Sequence, residues 1–121
     1  MKPTVVVVDD DPEILSVIST MLEDEYDVSV FMDGYKALEH LRNNDPPNLV
    51  MSDLRMPGLN GFMVLMEARR LFPGLKTLLF SGFIEPTSNS DRGIIAKFAS
   101  DVLRKPVRHC ELIDKLHRLI G

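Results

Sequence analysis

Short apolar runs alternate with longer segments of helical spacing along this chain, and that rhythm restricts the fold more than any other feature. The runs are residues 5–8, 28–31, 49–51, 77–80 and 102–103. Three of them are continuous. A strand with one wet face alternates apolar and polar residues, whereas a strand buried on both faces has no reason to. The runs therefore read as strands of a parallel sheet covered on both sides.

Between the runs, apolar residues recur at three- and four-residue steps, the spacing of one helix face. Asp11 is a candidate N-cap, and Pro12 suits the first helical position. Ile14, Val17, Ile18, Met21 and Leu22 follow. Tyr35, Leu38 and Leu41 follow Asp33. Phe62, Leu65, Met66, Arg69 and Leu71 follow Gly61, and Pro73-Gly74 ends that segment. Leu112, Ile113, Leu116, Leu119 and Ile120 form the last stripe. Residues 84–93 are polar and predict a loop, with a short helix after them near 94–99. Strand and helix thus alternate five times. Such alternation implies an α/β fold with helices on both faces and right-handed crossovers.

A chain of 121 residues suits one compact domain, here spanning 1–121. The net charge of −4 speaks against nonspecific nucleic-acid binding, which needs excess Lys and Arg. A lone cysteine, Cys110, excludes an intramolecular disulfide and fits a reducing compartment. The apolar run at 5–8 is too short for a signal-peptide core or a membrane span. The expectation is a cytoplasmic protein with no membrane contact.

In doubly wound folds, sites form beyond the carboxyl ends of the strands, where the strand order reverses. The residues there are Asp9-Asp10 after the first run, Asp53 after the third, Ser81 after the fourth and Lys105 after the fifth. If those strands are neighbours, three carboxylates, a hydroxyl and an ammonium share a small volume. Crowded carboxylates repel one another and need cations. Lys105 supplies one positive charge. A hard divalent ion with oxygen ligands, such as Mg²⁺, would supply two more. A metal and a lysine are also what a transferring phosphoryl group requires. Asp53 could act as its nucleophile and Ser81 could bond a phosphoryl oxygen.

Blander roles exist for each residue alone. Asp11 before Pro12 reads as a helix cap. Ser81-Gly82 is an ordinary turn and Lys105-Pro106 an ordinary strand exit. Capping explains at most one of Asp9 and Asp10. Joint placement on successive strand ends carries the inference.

These segments resemble a known family. Val7-Val8-Asp9-Asp10-Asp11-Pro12, Ser52-Asp53-Leu54-Arg55-Met56-Pro57-Gly58-Leu59-Asn60-Gly61, Phe80-Ser81-Gly82 and Leu103-Arg104-Lys105-Pro106 are similar to the four signature segments of response-regulator receiver domains. The chain is chemotaxis-regulator-like along its whole length. The resemblance implies a flavodoxin-like sheet of five parallel strands in the order 2-1-3-4-5, with five helices. It implies Asp53 as phosphoacceptor. Asp10, Asp53 and the backbone carbonyl of Arg55 would ligate Mg²⁺, with Asp9 acting through a water. Ser81 would bond the phosphoryl group and Lys105 would pair with it. A cis Lys105–Pro106 peptide is expected, as is a turn served by Gly58 and Gly61. A histidine kinase or a histidine phosphotransfer domain would be the donor. A downstream protein or output domain would read the result. The chain would catalyse only its own phosphorylation and autodephosphorylation.

Three departures stand out. Val102 occupies a position where the family often has Tyr or Phe. Residues 84–93 look long and polar where a fourth helix commonly begins. Asp101 stands where glycine is common, altering only the approach to the last strand. Arg55 and Phe83 flank the site and are expected to shield the acyl phosphate from water.

His40, His109 and His117 lack metal spacing and read as surface residues. Cys110 reads as a half-buried packing thiol, and most Met residues fall at core spacing. Arg104, Arg108 and His109 read as a solvated basic rim. Two other functions fit parts of the pattern. Asp9-x-Asp11 after an apolar strand also resembles the start of a haloacid-dehalogenase-like phosphatase, with Asp9 as nucleophile. A pseudo-receiver would keep the fold as a binding module without phosphorylation. Both stay open at this point, as does whether the chain stands alone or belongs to a hybrid kinase or longer regulator.

Overall fold

Val5, Val6, Val7 and Val8 are each at most 2% exposed, as burial on both faces demands. They lie in the first of five strands in the computed structural model, which describes residues 2–81 and 99–120. The described elements are β1 (Thr4–Val8), α1 (Pro12–Leu22), β2 (Asp27–Phe31), α2 (Gly34–Asn43), β3 (Leu49–Asp53), α3 (Gly61–Leu71), β4 (Lys76–Ser81), β5 (Asp101–Arg104) and α4 (His109–Ile120). The strands form one sheet in the order β2-β1-β3-β4-β5, and every neighbouring pair is parallel. This is the flavodoxin-like arrangement expected. The chain reverses direction across the sheet beside β1, so the carboxyl ends of β1 and β3 flank a crevice.

Successive side chains on a strand point to opposite faces. Val5, Val7, Leu49, Met51, Leu78 and Phe80 pack against Leu15, Ile18, Leu112 and Leu116 of α1 and α4. Val6, Val8, Val50 and Leu79 pack against Ala37, Leu41, Val64 and Leu65 of α2 and α3. Continuous apolar runs were therefore required, because each strand feeds two cores.

Three helices start on side-chain caps. Asp11 accepts from Glu13 N at 2.9 Å, Asp33 from Lys36 N at 2.8 Å and Asn60 from Met63 N at 3.0 Å. Each cap contributes about 1 kcal/mol. These caps fix where α1 and α3 leave the strand ends that carry the site, and where α2 leaves β2.

The inward faces differ from expectation at several positions. Val17, Tyr35 and Met66 are 49%, 64% and 42% exposed, and Leu15, Ala37, Val64 and Ala68 are buried in their stead. Adjacent helical residues are about 100° apart, so Val17 falls beside the stripe centred on Leu15, Ile18 and Leu22. Met32 and Met63 are also exposed, so the methionines are not mostly core residues. Cys110 is exposed, in the first turn of α4, rather than half-buried. His109 and His117 are exposed, but His40 is half-buried against the Phe31 ring, centroids 5.0 Å apart.

Four helices are described. Phe83, the polar stretch 84–93 and most of the helix expected near 94–99 lie outside the described residues. Ala99, at the end of that stretch, packs against the core on the α2–α3 face. Among the described residues no helix is long and apolar enough to cross a membrane.

Candidate functional site

Backbone bonds carry the sheet ladder one residue beyond its strands. Asp9 N donates to Phe31 O at 3.1 Å, Leu54 N to Phe80 O at 3.0 Å, and Lys105 N to Ser81 O at 2.8 Å. The side chains just past each strand are therefore held by the sheet. Asp9, Asp53 and Ser81 are buried, at 0%, 6% and 2% exposure. Asp10 faces solvent.

Lys105 joins the acidic residues. Its Nζ lies 3.0 Å from Asp9 Oδ2 and 3.4 Å from Asp53 Oδ1. It also sits 5.2 Å from the centroid of the buried Phe80 ring, whose quadrupole attracts a cation. The other Asp9 oxygen accepts from Asp11 N at 2.9 Å. Ligand oxygens of Asp9, Asp10 and Asp53 lie within 4.8 Å of one another. The structure thus brings together Asp9, Asp10, Asp53 and Lys105, with Ser81 at the end of the adjacent strand.

Charge here is unbalanced. Burial pushes the Asp53 carboxyl above its usual range, the charge of Asp9 adds to that, and Lys105 opposes both. Burial likewise raises Asp9, against the Asp11 amide and Lys105. Burial pulls Lys105 down, but its bond to Asp9 and the charges of Asp53 and Asp9 outweigh this and hold it above its usual value. Lys105 stays an ammonium, and among the described residues one ammonium faces three carboxyl groups. A hard divalent cation suits the remaining negative charge: the donors are all oxygen, two are buried and one opens to water.

The loop after β3 is shaped by two glycines. Gly58 has φ +76°, which L side chains rarely adopt. A methyl group on Gly61 would overlap the Asp53 carbonyl oxygen and lie 2.9 Å from Leu54 Cα. The opening of α3 therefore presses directly on the residue that carries the acidic site. Arg55 follows in that loop and is exposed. The Lys105–Pro106 peptide is cis, as expected. Val102 is half-buried in β5. Asp101 does more than alter the approach to β5: it accepts from Val102 N at 2.7 Å and pairs with Lys115 Nζ at 3.2 Å.

Sequence reasoning missed three participants. Phe80 beneath Lys105 read as a core strand residue and as the start of a signature segment, not as a partner of the lysine. Asn60 caps α3, although it precedes Gly61 in a motif already singled out. Ser52, fully buried, donates to the Asp53 carbonyl at 3.0 Å. Its place beside Asp53 was the only available signal.

A doubly wound sheet with a lysine-bridged acidic pocket at its carboxyl rim defines the class. The family described as response regulator receiver domain matches residues 5–117, and the chain belongs to it. It is 31% identical to the sensor histidine kinase TmoS of Ectopseudomonas mendocina, across 99% of this chain and 12% of that protein. It is 34% identical to a transcriptional regulatory protein, the CpxR homolog of Haemophilus influenzae, across 93% of this chain and 48% of the other. It thus spans half or less of each of these relatives. The crystal structure of a response regulator receiver domain protein from Methanospirillum hungatei aligns with TM-score 0.89 and 25% identity, covering 99% of this chain and 94% of that one. The chain is a receiver domain of the two-component class. The phosphatase and pseudo-receiver alternatives gain no support from these matches.

Proposed function

We propose that this domain is a phosphorylation switch whose phosphoacceptor is Asp53. The supporting observation is the Asp53 carboxylate itself: nearly buried, 3.4 Å from the Lys105 ammonium and grouped with two further carboxylates. A carboxylate oxygen of Asp53 attacks phosphorus of a phosphohistidine, the O–P bond forms, the N–P bond breaks, and the imidazole departs and takes up a proton. Lys105 stays protonated and offsets the charge on the phosphoryl oxygens. The Ser81 hydroxyl donates to one of those oxygens. Asp10, Asp53 and the Arg55 carbonyl would hold Mg²⁺ directly, with Asp9 acting through a water. When bound, that ion supplies charge neutralisation to the transferring group. Arg55, exposed in the loop after β3, screens the product from water.

The donor in this reading is a histidine kinase or a histidine phosphotransfer domain, and the acceptor works in the cytoplasm. Phosphorylation turns a carboxylate of charge −1 into an acyl phosphate near −2, so it adds about one negative charge and new acceptor oxygens to the rim and biases a surface that a downstream protein or output domain reads. With Val102 in place of an aromatic ring, the change travels through backbone and loops. Catalysis extends only to the domain's own phosphorylation and autodephosphorylation.

Acetyl phosphate with Mg²⁺ tests the reading. The parent protein takes one phosphoryl group and Asp53→Asn takes none. Labelling or turnover retained in Asp53→Asn would move the nucleophile to Asp9 and overturn the assignment.

A further inference from the structure

Ser52 belongs to no acidic cluster, and as a strand residue it needs no polar side chain. It is nevertheless a fully buried hydroxyl next to the phosphoacceptor. Pairing of β1 with β3 ends at Val8 and Ser52, one residue short of Asp53. Pairing of β3 with β4 continues to Asp53 and Phe80. Leu54 N turns to β4, where it donates to Phe80 O, so the preceding carbonyl of Asp53 faces the β1 side. There the ladder has stopped. Ser52 Oγ donates to that carbonyl at 3.0 Å.

Strand alternation sets the Ser52 side chain on the face of Val50, towards α2 and α3, and Asp53 on the opposite face. The opening of α3 closes over the same carbonyl, because Gly61 has no side chain to hold it off. Gly61 N then donates to Leu54 O at 2.9 Å. The unit of two successive peptides after Asp53 is thus fastened at three points: Leu54 N to β4, Asp53 O to Ser52, and Leu54 O to α3. That unit leads from the acceptor carboxylate towards Arg55.

We propose that Ser52 is a positioning residue for phosphoryl acceptance, its hydroxyl locking the Asp53 backbone where the sheet ladder no longer can. This rests on Asp53 being the phosphoacceptor. A buried carbonyl without a donor seeks another partner, and the shift turns Asp53 within its pocket. Reacting groups displaced by a fraction of an ångström lose much of their rate.

The test uses the full 121-residue chain as parent, Ser52→Ala, Ser52→Thr and Ser52→Cys, all assayed well below their melting temperatures. Acetyl phosphate labelling at saturating Mg²⁺ gives the initial rate, and titration of the unphosphorylated protein gives Mg²⁺ affinity. Ser52→Ala is expected to label about tenfold more slowly and to bind Mg²⁺ about threefold more weakly. Ser52→Thr, which keeps the hydroxyl, restores both to within about threefold of the parent. Ser52→Cys keeps the shape with a weak donor and falls between; it carries the test if the alanine variant does not stay folded.

A merely structural serine would lower the melting temperature and leave both quantities at parental values, which overturns the proposal. Equal losses in the alanine and threonine variants also overturn it, because shape rather than the hydroxyl would then matter. If the parent takes no label, or Asp53→Asn keeps it, the phosphoacceptor reading itself fails. If the parent is labelled at Asp53 and the Ser52 variants match it, only the positioning role fails.

Discussion

Where the strands begin, neutral groups close the sheet in reciprocal pairs. Thr4 N donates to Asn48 Oδ1 at 2.9 Å, and Asn48 N donates back to Thr4 O at 2.9 Å. Thr77 N donates to Ser100 Oγ at 3.1 Å, and Ser100 N returns to Thr77 O at 2.8 Å. An open hollow of about 370 Å³ between residues 46–48 and 72–75 is lined there without a titratable side chain. Where the strands end, buried carboxyl groups outnumber the one ammonium that reaches them among the described residues. At the first end these edge bonds are neutral, and the charged residues that open β2, β4 and β5 (Asp27, Lys76 and Asp101) lie outside the buried core. The other holds excess negative charge, which an added cation offsets. The same ladder makes both ends rigid, so the chemistry follows from what is left unbalanced.

The sharpest way to break this contrast is to remove the Lys105 cation. Lys105→Ala leaves Asp9 at 0% exposure without its ammonium partner. Acetyl phosphate labelling at saturating Mg²⁺ is expected to fall about 100-fold, the scale of losing one preorganised electrostatic group. Parental labelling in this variant would mean that the charged end is not organised around Lys105.

A second effect comes from the raised Asp53 carboxyl. A group whose pKa is higher when folded binds its proton more tightly in the folded state. Its contribution to stability is full below the unfolded pKa and is lost as pH rises through the folded pKa. At neutral pH without metal, ionised Asp53 therefore strains the fold. Asp53→Asn should melt above the parent in EDTA near neutral pH, and this gap should narrow as the pH falls towards the ordinary carboxylate range. Saturating Mg²⁺ should shrink the gap by stabilising the parent more than the variant. A gap that does not change with pH would remove the charge explanation.

The two ends were unequally legible in the sequence. Asp9, Asp10, Asp53, Ser81 and Lys105 could be read because each stands just beyond an apolar run, a position that topology converts into proximity. The strand order could not be read from the runs, because apolar residues do not say which strand pairs with which; it came from the resemblance. Ser52 lay hidden inside a strand, where a single hydroxyl carries no pattern. Phe80 was legible as core but not as the ring beneath Lys105, since that contact joins β4 to the residue after β5. Thr4 with Asn48 and Thr77 with Ser100 are separated by 44 and 23 positions, so their exchange appears only once register is known. Tyr35 and Met66 were misplaced because an amphipathic stripe has edges that spacing alone does not locate.

The smallest predicted effect tests the end where the strands begin. Asn48→Ala removes the acceptor of Thr4 N and of the Thr4 hydroxyl, the latter at 3.3 Å. Both residues are exposed, so water replaces part of what is lost. The expected loss is about 0.5–1 kcal/mol, a few degrees in melting temperature. Labelling at Asp53 should not change, because Asn48 precedes β3 by one residue and Asp53 ends that strand. The backbone bond from Asn48 N to Thr4 O survives the substitution and keeps β1 and β3 in register. Slower labelling in Asn48→Ala would mean that the end where the strands begin transmits strain along β3 to the carboxylate, and that the two ends are not separable.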